Sequence, residues 1–275
     1  MIRLYFSRIL KNKLALTGTV LIAVLALTAI FSPLVTPRSP FDQNLIQRLK
    51  PPSTLHWMGT DDLGRDVFSR LIFGTRISLL VGFVAVSIEI FFGTLVGLSA
   101  GYFGKWADSI LMRTVDILLC FPTFFLILMV IAFLEPSITN VMIVIGLTSW
   151  TGLARLVRGE MLSIRERDYV LAAKALGCSD ARVLFVHCLP NVTAPILVTA
   201  ALGVGSAILT ESALSFLGLG VQLPTPSWGN MLTSGKDYIY FAWWLSLYPG
   251  LAILITVLAF NLLGEGLRDA LDPRT

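Results

Sequence analysis

The chain has 275 residues, 55% of them hydrophobic and only 14% charged, with a formal net charge of +4 and a mean hydropathy of +0.79. A soluble domain of this length cannot hide that much apolar surface, so its solvent is a bilayer. The basic balance reflects membrane orientation and gives no support to nucleic-acid binding, and Cys120, Cys178 and Cys188 lack metal-ligand or redox spacing, so neither a disulfide nor a metal site is expected.

A spanning helix needs about 20 mostly apolar residues. Six stretches qualify, at roughly 14–35, 77–101, 117–134, 137–154, 192–214 and 242–264. The expected fold is an all-α integral membrane protein with six transmembrane helices. Arg3, Arg8, Lys11 and Lys13 precede the first run, as in a secretory signal. The run from Leu14 to Thr36 is longer than a signal core, and no small-residue cleavage pattern closes it, so a retained helix is expected. Lys and Arg concentrate on the segments that an N-inside, C-inside topology leaves in the cytoplasm, although residues 36–76, which it places outside, are also basic.

Residues 36–76 form an extramembrane segment in which Pro37, Pro40, Pro51 and Pro52 block long helices. Within "HWMGTDDLGRDVFSR" a turn at Gly59 and an N-cap at Thr60 or Asp61 are expected to lead into the second helix. The stretch is either a linker or, given Trp57, Asp61, Asp62 and Arg65, a docking surface.

The second run carries Gly93, Gly97 and Gly101 on one face, where van der Waals packing of a neighbouring helix replaces the missing hydrophobic drive. Packing within the bundle is preferred to a subunit interface. Glu89 lies at mid-membrane depth, where an acid costs about 2.5–3.5 kcal/mol and needs a cavity or a partner. It either binds cationic substrate groups or accepts hydrogen bonds from a neighbouring helix. Pro122 should kink the third run or mark its start. The fifth run holds a small-residue stripe (Gly203, Gly205, Ser206), then Glu211 and Ser212 as pathway or interface candidates. "SALSFLGLGVQLPTPSWGNML" cannot be one straight span. A helix end, a turn and a short re-entrant piece are expected, with Trp228 at headgroup depth and a further docking candidate.

Between the fourth and fifth runs lies "DYVLAAKALGCSDARVLFVHCLPN", residues 168–191. The fourth helix is expected to end near Arg155, with a separate helix over 160–176. Gly177 is placed as a left-handed C-terminal residue, Ser179 caps a second helix with Asp180 in its first turn, and Pro190 stops that helix by disfavouring α at Leu189. Ala172, Ala173 and Ala175 are read as a flat exposed face suited to another protein's groove. Arg165, Arg167, Asp168 and Lys174 surround it with charges that fix register.

This stretch resembles the EAA loop of inner-membrane permeases from binding-protein-dependent ABC importers: Ala172, Ala173, Gly177, Leu189 and Pro190 stand where that pattern places them. Leu171 replaces its acid and His187 its isoleucine, and Asp168, one turn earlier, is a substitute for the lost charge. "HWMGTDDLGRDVFSRLIFGTRISLLVG", "TESALSFLGLGVQLPTPSWGNML" and "AFNLLGEGLRDALDPR" look like the C-type permease of dipeptide, oligopeptide or nickel importers. The resemblance implies a type I importer fold in a bacterial inner membrane, with a core domain over 77–264 between cytoplasmic tails at 1–13 and 265–275. It implies a second homologous permease, two ATPase subunits that bind ATP and Mg, and an extracytoplasmic binding protein. It also implies coupling to an ATPase through residues 165–190, His187 included. Peptide is the first expectation for substrate and nickel the second. The chain carries no phosphate-binding loop of its own, since Gly104-Lys105 is followed by Trp106 and Gly235-Lys236 by Asp237. A secondary transporter using Glu89 and Glu211 as ion sites is the alternative of another class. An intramembrane enzyme lacks paired catalytic groups.

Overall fold

The computed structural model describes residues 12–271. Arg3, Arg8, Lys11, Arg274 and most of the tail at 1–13 lie outside the described residues, as does the end of the tail at 265–275. The described residues form helices α1 (Lys13–Ile30), α2 (Ser32–Val35), α3 (Val67–Phe103), α4 (Lys105–Leu119), α5 (Thr123–Ala132), α6 (Ile138–Ile164), α7 (Asp168–Ala175), α8 (Asp180–Arg182), α9 (Leu189–Phe216), α10 (Trp228–Gly235) and α11 (Trp244–Leu271). A π-helical turn, Val183–Cys188, joins α8 to α9. The helices α1, α3, α6 and α11, and the run Asp180–Phe216 that ends in α9, are each long and apolar enough to cross a membrane; α4 and α5 together pass the same test but meet at 82°.

The bundle is built on close backbone approach. A Cβ at Gly93 would lie 2.8 Å from Leu153, at Gly97 2.6 Å from the Ala154 carbonyl, and at Gly101 2.6 Å from Met161. Gly146 of α6 meets Ile88 of α3 in the same way, at 2.6 Å. The glycine face of α3 is therefore consumed by α6 within this chain, as expected, and among the described residues these two helices share the most extensive contact. Gly18 of α1 sits against the Ala259 carbonyl and the Leu263 amide of α11, both 2.7 Å from its missing Cβ. The outward face of α1, with Val20, Val24 and Leu27, stays exposed, which suits lipid.

Four expectations about boundaries give way. The run at 117–134 is not one straight helix but is broken, with 82° between α4 and α5. Pro122 (φ −57, ψ 123) stands outside helical geometry as the N-cap of α5, and Asp108 and Asp116 pair with Arg158 and Arg155, holding the polar side of α4 against the end of α6. The fourth helix does not stop near Arg155 but runs to Ile164, because Val157 and Met161 remain fully buried against α3. Leu189 keeps helical dihedrals (φ −51, ψ −44). Pro190 follows directly on the π-helical turn, and the helical run continues through it into α9, so the chain does not stop there. Finally, α3 is capped by Asp66 and not by Thr60 or Asp61: the Asp66 Oδ2 accepts from the Ser69 amide at 2.8 Å.

Candidate functional site

Because α3 is 37 residues long, it places its two ends about 55 Å apart. Residues 36–66 fold over the N-terminal end and the loop at 165–188 over the C-terminal end. The start of α1 and the end of α11 share the loop end, where the Asn12 amide donates to Asp269 at 3.2 Å and Gly266 packs on Ala15. The start of α11 lies at the opposite end, where the Trp244 indole donates to the Thr60 carbonyl at 3.2 Å.

The loop has a core of its own. Val170 and Ala173 of α7, Val183, Leu184 and Cys188 of the following turn, and Leu98 and Tyr102 of α3 are buried together. Ala173 therefore points inward, which corrects the expectation of a three-alanine exposed face; Ala172 and Ala175 are exposed, with Tyr169, Leu171 and Leu176 beside them. Gly177 takes φ +77 as expected, and its amide and that of Cys178 donate back to Lys174 and Ala173 at 2.9 and 3.1 Å. Ser179 holds the N-cap position of α8 with extended backbone, but its side chain makes no cap bond.

Of the charges expected to fix register, two are engaged within the chain. The Arg165 guanidinium donates to the Gly101 carbonyl at 3.0 Å and to Glu166 at 3.1 Å, and the Lys174 ammonium lies 4.3 Å from the Tyr102 ring centroid. Arg167 and Asp168 are exposed at the start of α7. His187 and Leu189 are half-buried and Pro190 exposed, off the α7 face, and the His187 carbonyl accepts from the Asn191 amide at 2.7 Å. The Tyr102 hydroxyl donates to Asp180 Oδ1 at 2.6 Å, a contact across seventy-eight positions that local sequence patterns do not carry.

At the other end, Asp61 and Arg65 do not form a docking surface. Arg65 Nε donates to Asp61 Oδ2 at 2.6 Å and Arg70 Nε lies 3.5 Å from the same oxygen, all three residues being buried. The three buried side chains are engaged with one another, and removing Asp61 would leave two buried guanidinium groups without it. Trp57, 62% exposed, and half-buried Asp62 remain accessible. The imidazole of His56 lies 2.8 Å from Asp66 Oδ1 and 2.6 Å from Gln47 Oε1, tying the segment to the cap of α3. Trp228 is 1% exposed, packed inside the bundle. Its indole donates to the Leu71 carbonyl and its amide to Ser78 Oγ, each at 3.2 Å, and it fits because Gly74 presents no Cβ there.

In the middle of the molecule, Glu211 is wholly buried. Its Oε1 accepts from Ser215 Oγ at 2.6 Å and Ser227 Oγ at 3.0 Å, and Ser227 is the N-cap of α10. The carboxylate thus joins α9 to the broken segment that follows it. Glu89 is half-buried on α3 and faces α9, its Oε2 3.2 Å from where a Cβ on Gly203 would stand. Ser212 lines an open apolar groove of about 600 Å³ with Phe124, Leu209, Phe216, Leu232 and Ile253. Among the described residues no three His, Cys, Asp or Glu side chains gather into a metal-holding group.

Residues 93–275 match the family described as binding-protein-dependent transport system inner membrane component, and residues 1–52 match the N-terminal TM domain of oligopeptide transport permease C. The chain is 48% identical over 269 residues to the dipeptide transport system permease protein DppC of Alkalihalophilus pseudofirmus, covering 98% of this chain and 88% of that protein. It is 46% identical to the di/tripeptide transport system permease protein DppC of Pseudomonas aeruginosa, covering 96% and 89%, and 41% identical to the oligopeptide transport system permease protein OppC of Bacillus subtilis, covering 97% and 88%. With matches along its whole length and helices built for a bilayer, the chain belongs to the family of binding-protein-dependent transport system inner membrane components, as a multi-pass permease subunit of the bacterial inner membrane.

Proposed function

We propose that this chain is one of two homologous permease subunits lining the path of an ATP-driven importer of dipeptides and oligopeptides. The observation that carries the coupling part is the loop at 165–188, a short helix on its own apolar core that turns Tyr169, Leu171, Ala172, Ala175 and Leu176 outward. A solvated connector needs neither a core nor exposed apolar side chains. Such a rigid foot fits the groove of an ATPase subunit, with Arg167 and Asp168 setting its register. ATP and Mg belong to the two ATPase subunits.

The loop, the start of α1 and the end of α11 then face the cytoplasm, and residues 36–66 face the binding protein, with Trp57 and Asp62 as the accessible part of that surface. Ser212 in its groove and Glu89 facing α9 are the groups assigned to the pathway or to the second permease. Glu211 is assigned to structure on the side of its Oε1, which Ser215 and Ser227 hold, while its buried Oε2 has no hydrogen-bond partner. The names of the relatives favour peptide over nickel.

Purified alone, the chain should hydrolyse no ATP. Reconstituted with the second permease, the ATPases and the binding protein, it should support ATPase activity stimulated by peptide-loaded binding protein. Uptake by this chain in liposomes with no ATPase subunit would overturn the reading in favour of an ion-gradient transporter.

A further inference from the structure

The end of α3 is fastened to the loop on both sides of the Gly177 turn. Before the turn, the Lys174 ammonium lies 4.3 Å from the Tyr102 ring centroid. After it, Asp180 Oδ1 accepts the Tyr102 hydroxyl at 2.6 Å, within the range of a charge-assisted bond. The ring is buried among Val170, Ala173, Val183 and Leu184. One residue earlier, the Gly101 carbonyl receives Arg165 at 3.0 Å and the Gly101 Cα packs on Met161, so α3 cannot slide past α6 there. Any rotation of α7 relative to α8 about Gly177 therefore changes the surroundings of Tyr102, the α3 side chain that contacts Lys174 before the turn and Asp180 after it. At its far end, α3 begins at Asp66, which His56 joins to residues 36–66.

We propose that Tyr102 is the positioning residue that carries displacement of the loop into α3, and so to the segment folded over the opposite end. The inference rests on the permease function proposed above and adds the route by which the loop acts. The ring holds the loop by packing and by its interaction with Lys174, whereas the hydroxyl fixes the angle of α8 through Asp180. Asp180 is exposed, so water replaces the hydroxyl when it is removed and folding is little affected. The loss falls on the transmission of movement, where a physical coupling between two arrangements is required.

The test compares Tyr102→Phe, Asp180→Asn and Asp180→Ala in the complete complex, reconstituted in proteoliposomes with labelled dialanine as probe. The readouts are co-purification of the ATPase subunits, ATP hydrolysis and uptake per ATP hydrolysed. Tyr102→Phe should assemble normally yet lower uptake per ATP about 5-fold or more, the smallest effect usual for coupled sites. Asp180→Ala should behave alike, and Asp180→Asn, whose Oδ1 still accepts the hydroxyl, should recover most of the loss. Unchanged uptake per ATP in Tyr102→Phe, or an Asp180→Asn variant as impaired as Asp180→Ala, overturns the proposal and leaves the permease function standing. Uptake by the unsubstituted complex that is independent of ATP overturns both.

Discussion

Gly177 stands in the left-handed region with open space where a side chain would go, so substitution there meets backbone strain alone. Valine should cost about 1–2 kcal/mol locally, and because α7 ends at Ala175, two residues earlier, the strain falls on the foot and not on the bundle. The Gly177→Val protein should insert and fold normally but lose ATPase docking or coupling, read by co-purification of the ATPases and by stimulated hydrolysis; unchanged values in both would refute the assigned turn. Glu211 makes the opposite case, a residue whose loss falls on the fold. Glu211→Ala strands the hydroxyls of Ser215 and Ser227 in a buried site, at about 1–3 kcal/mol, whereas Glu211→Gln keeps an oxygen for both. A lower melting temperature in detergent for Ala than for Gln is expected. Equal melting with selective loss of transport in both variants would return Glu211 to the pathway. The sequence could mark Glu211 as costly at its depth, but its partner Ser227 lies beyond the end of α9, across a non-helical segment whose geometry no local pattern specifies.

The spanning elements were legible because the bilayer demands long uncharged runs, and the α3 glycines were legible because close helix packing in lipid demands small residues at four-residue spacing. Gly97→Leu would drive a side chain into the Ala154 carbonyl and Val157, within 2.7 Å of the missing Cβ, at about 1–3 kcal/mol of overpacking. The yield of monodisperse protein should fall with that variant, while leucine at neighbouring Val96, half-exposed on α3, should be tolerated; equal yields would mean that the α3–α6 seam is looser than its geometry. Element ends in water were not legible. The last turns of α6 persist past Arg155 because tertiary burial of Val157 and Met161 overrides local charge, and α4 is held to them by Asp108 meeting Arg158 across fifty positions. The loop was legible as helix, turn and helix, but the inward orientation of Ala173 depended on a core contributed by α3.

For the whole molecule, function depends on which side of the membrane the two ends of α3 occupy. Residues 36–66 carry Arg38, Arg48, Lys50 and Arg65, which by the charge rule alone weakens an outside placement. The structure weakens that objection, because Arg65 is buried in an ion pair with Asp61, so part of the basic charge is neutralised by folding. Loop, α1 start and α11 end gather at the other end, with Lys13, Arg155, Arg158 and Arg165 near them. Placing that end inside satisfies the charge rule and gives the foot access to an ATPase. The check uses a background in which Cys120, Cys178 and Cys188 are replaced by alanine, with one new cysteine at either exposed site, Trp57→Cys or Leu176→Cys. In intact spheroplasts, an impermeant maleimide should label position 57 at once and position 176 only after the membrane is opened. The reverse pattern would put the foot where no ATP is hydrolysed, and no arrangement of partners could then drive transport through it.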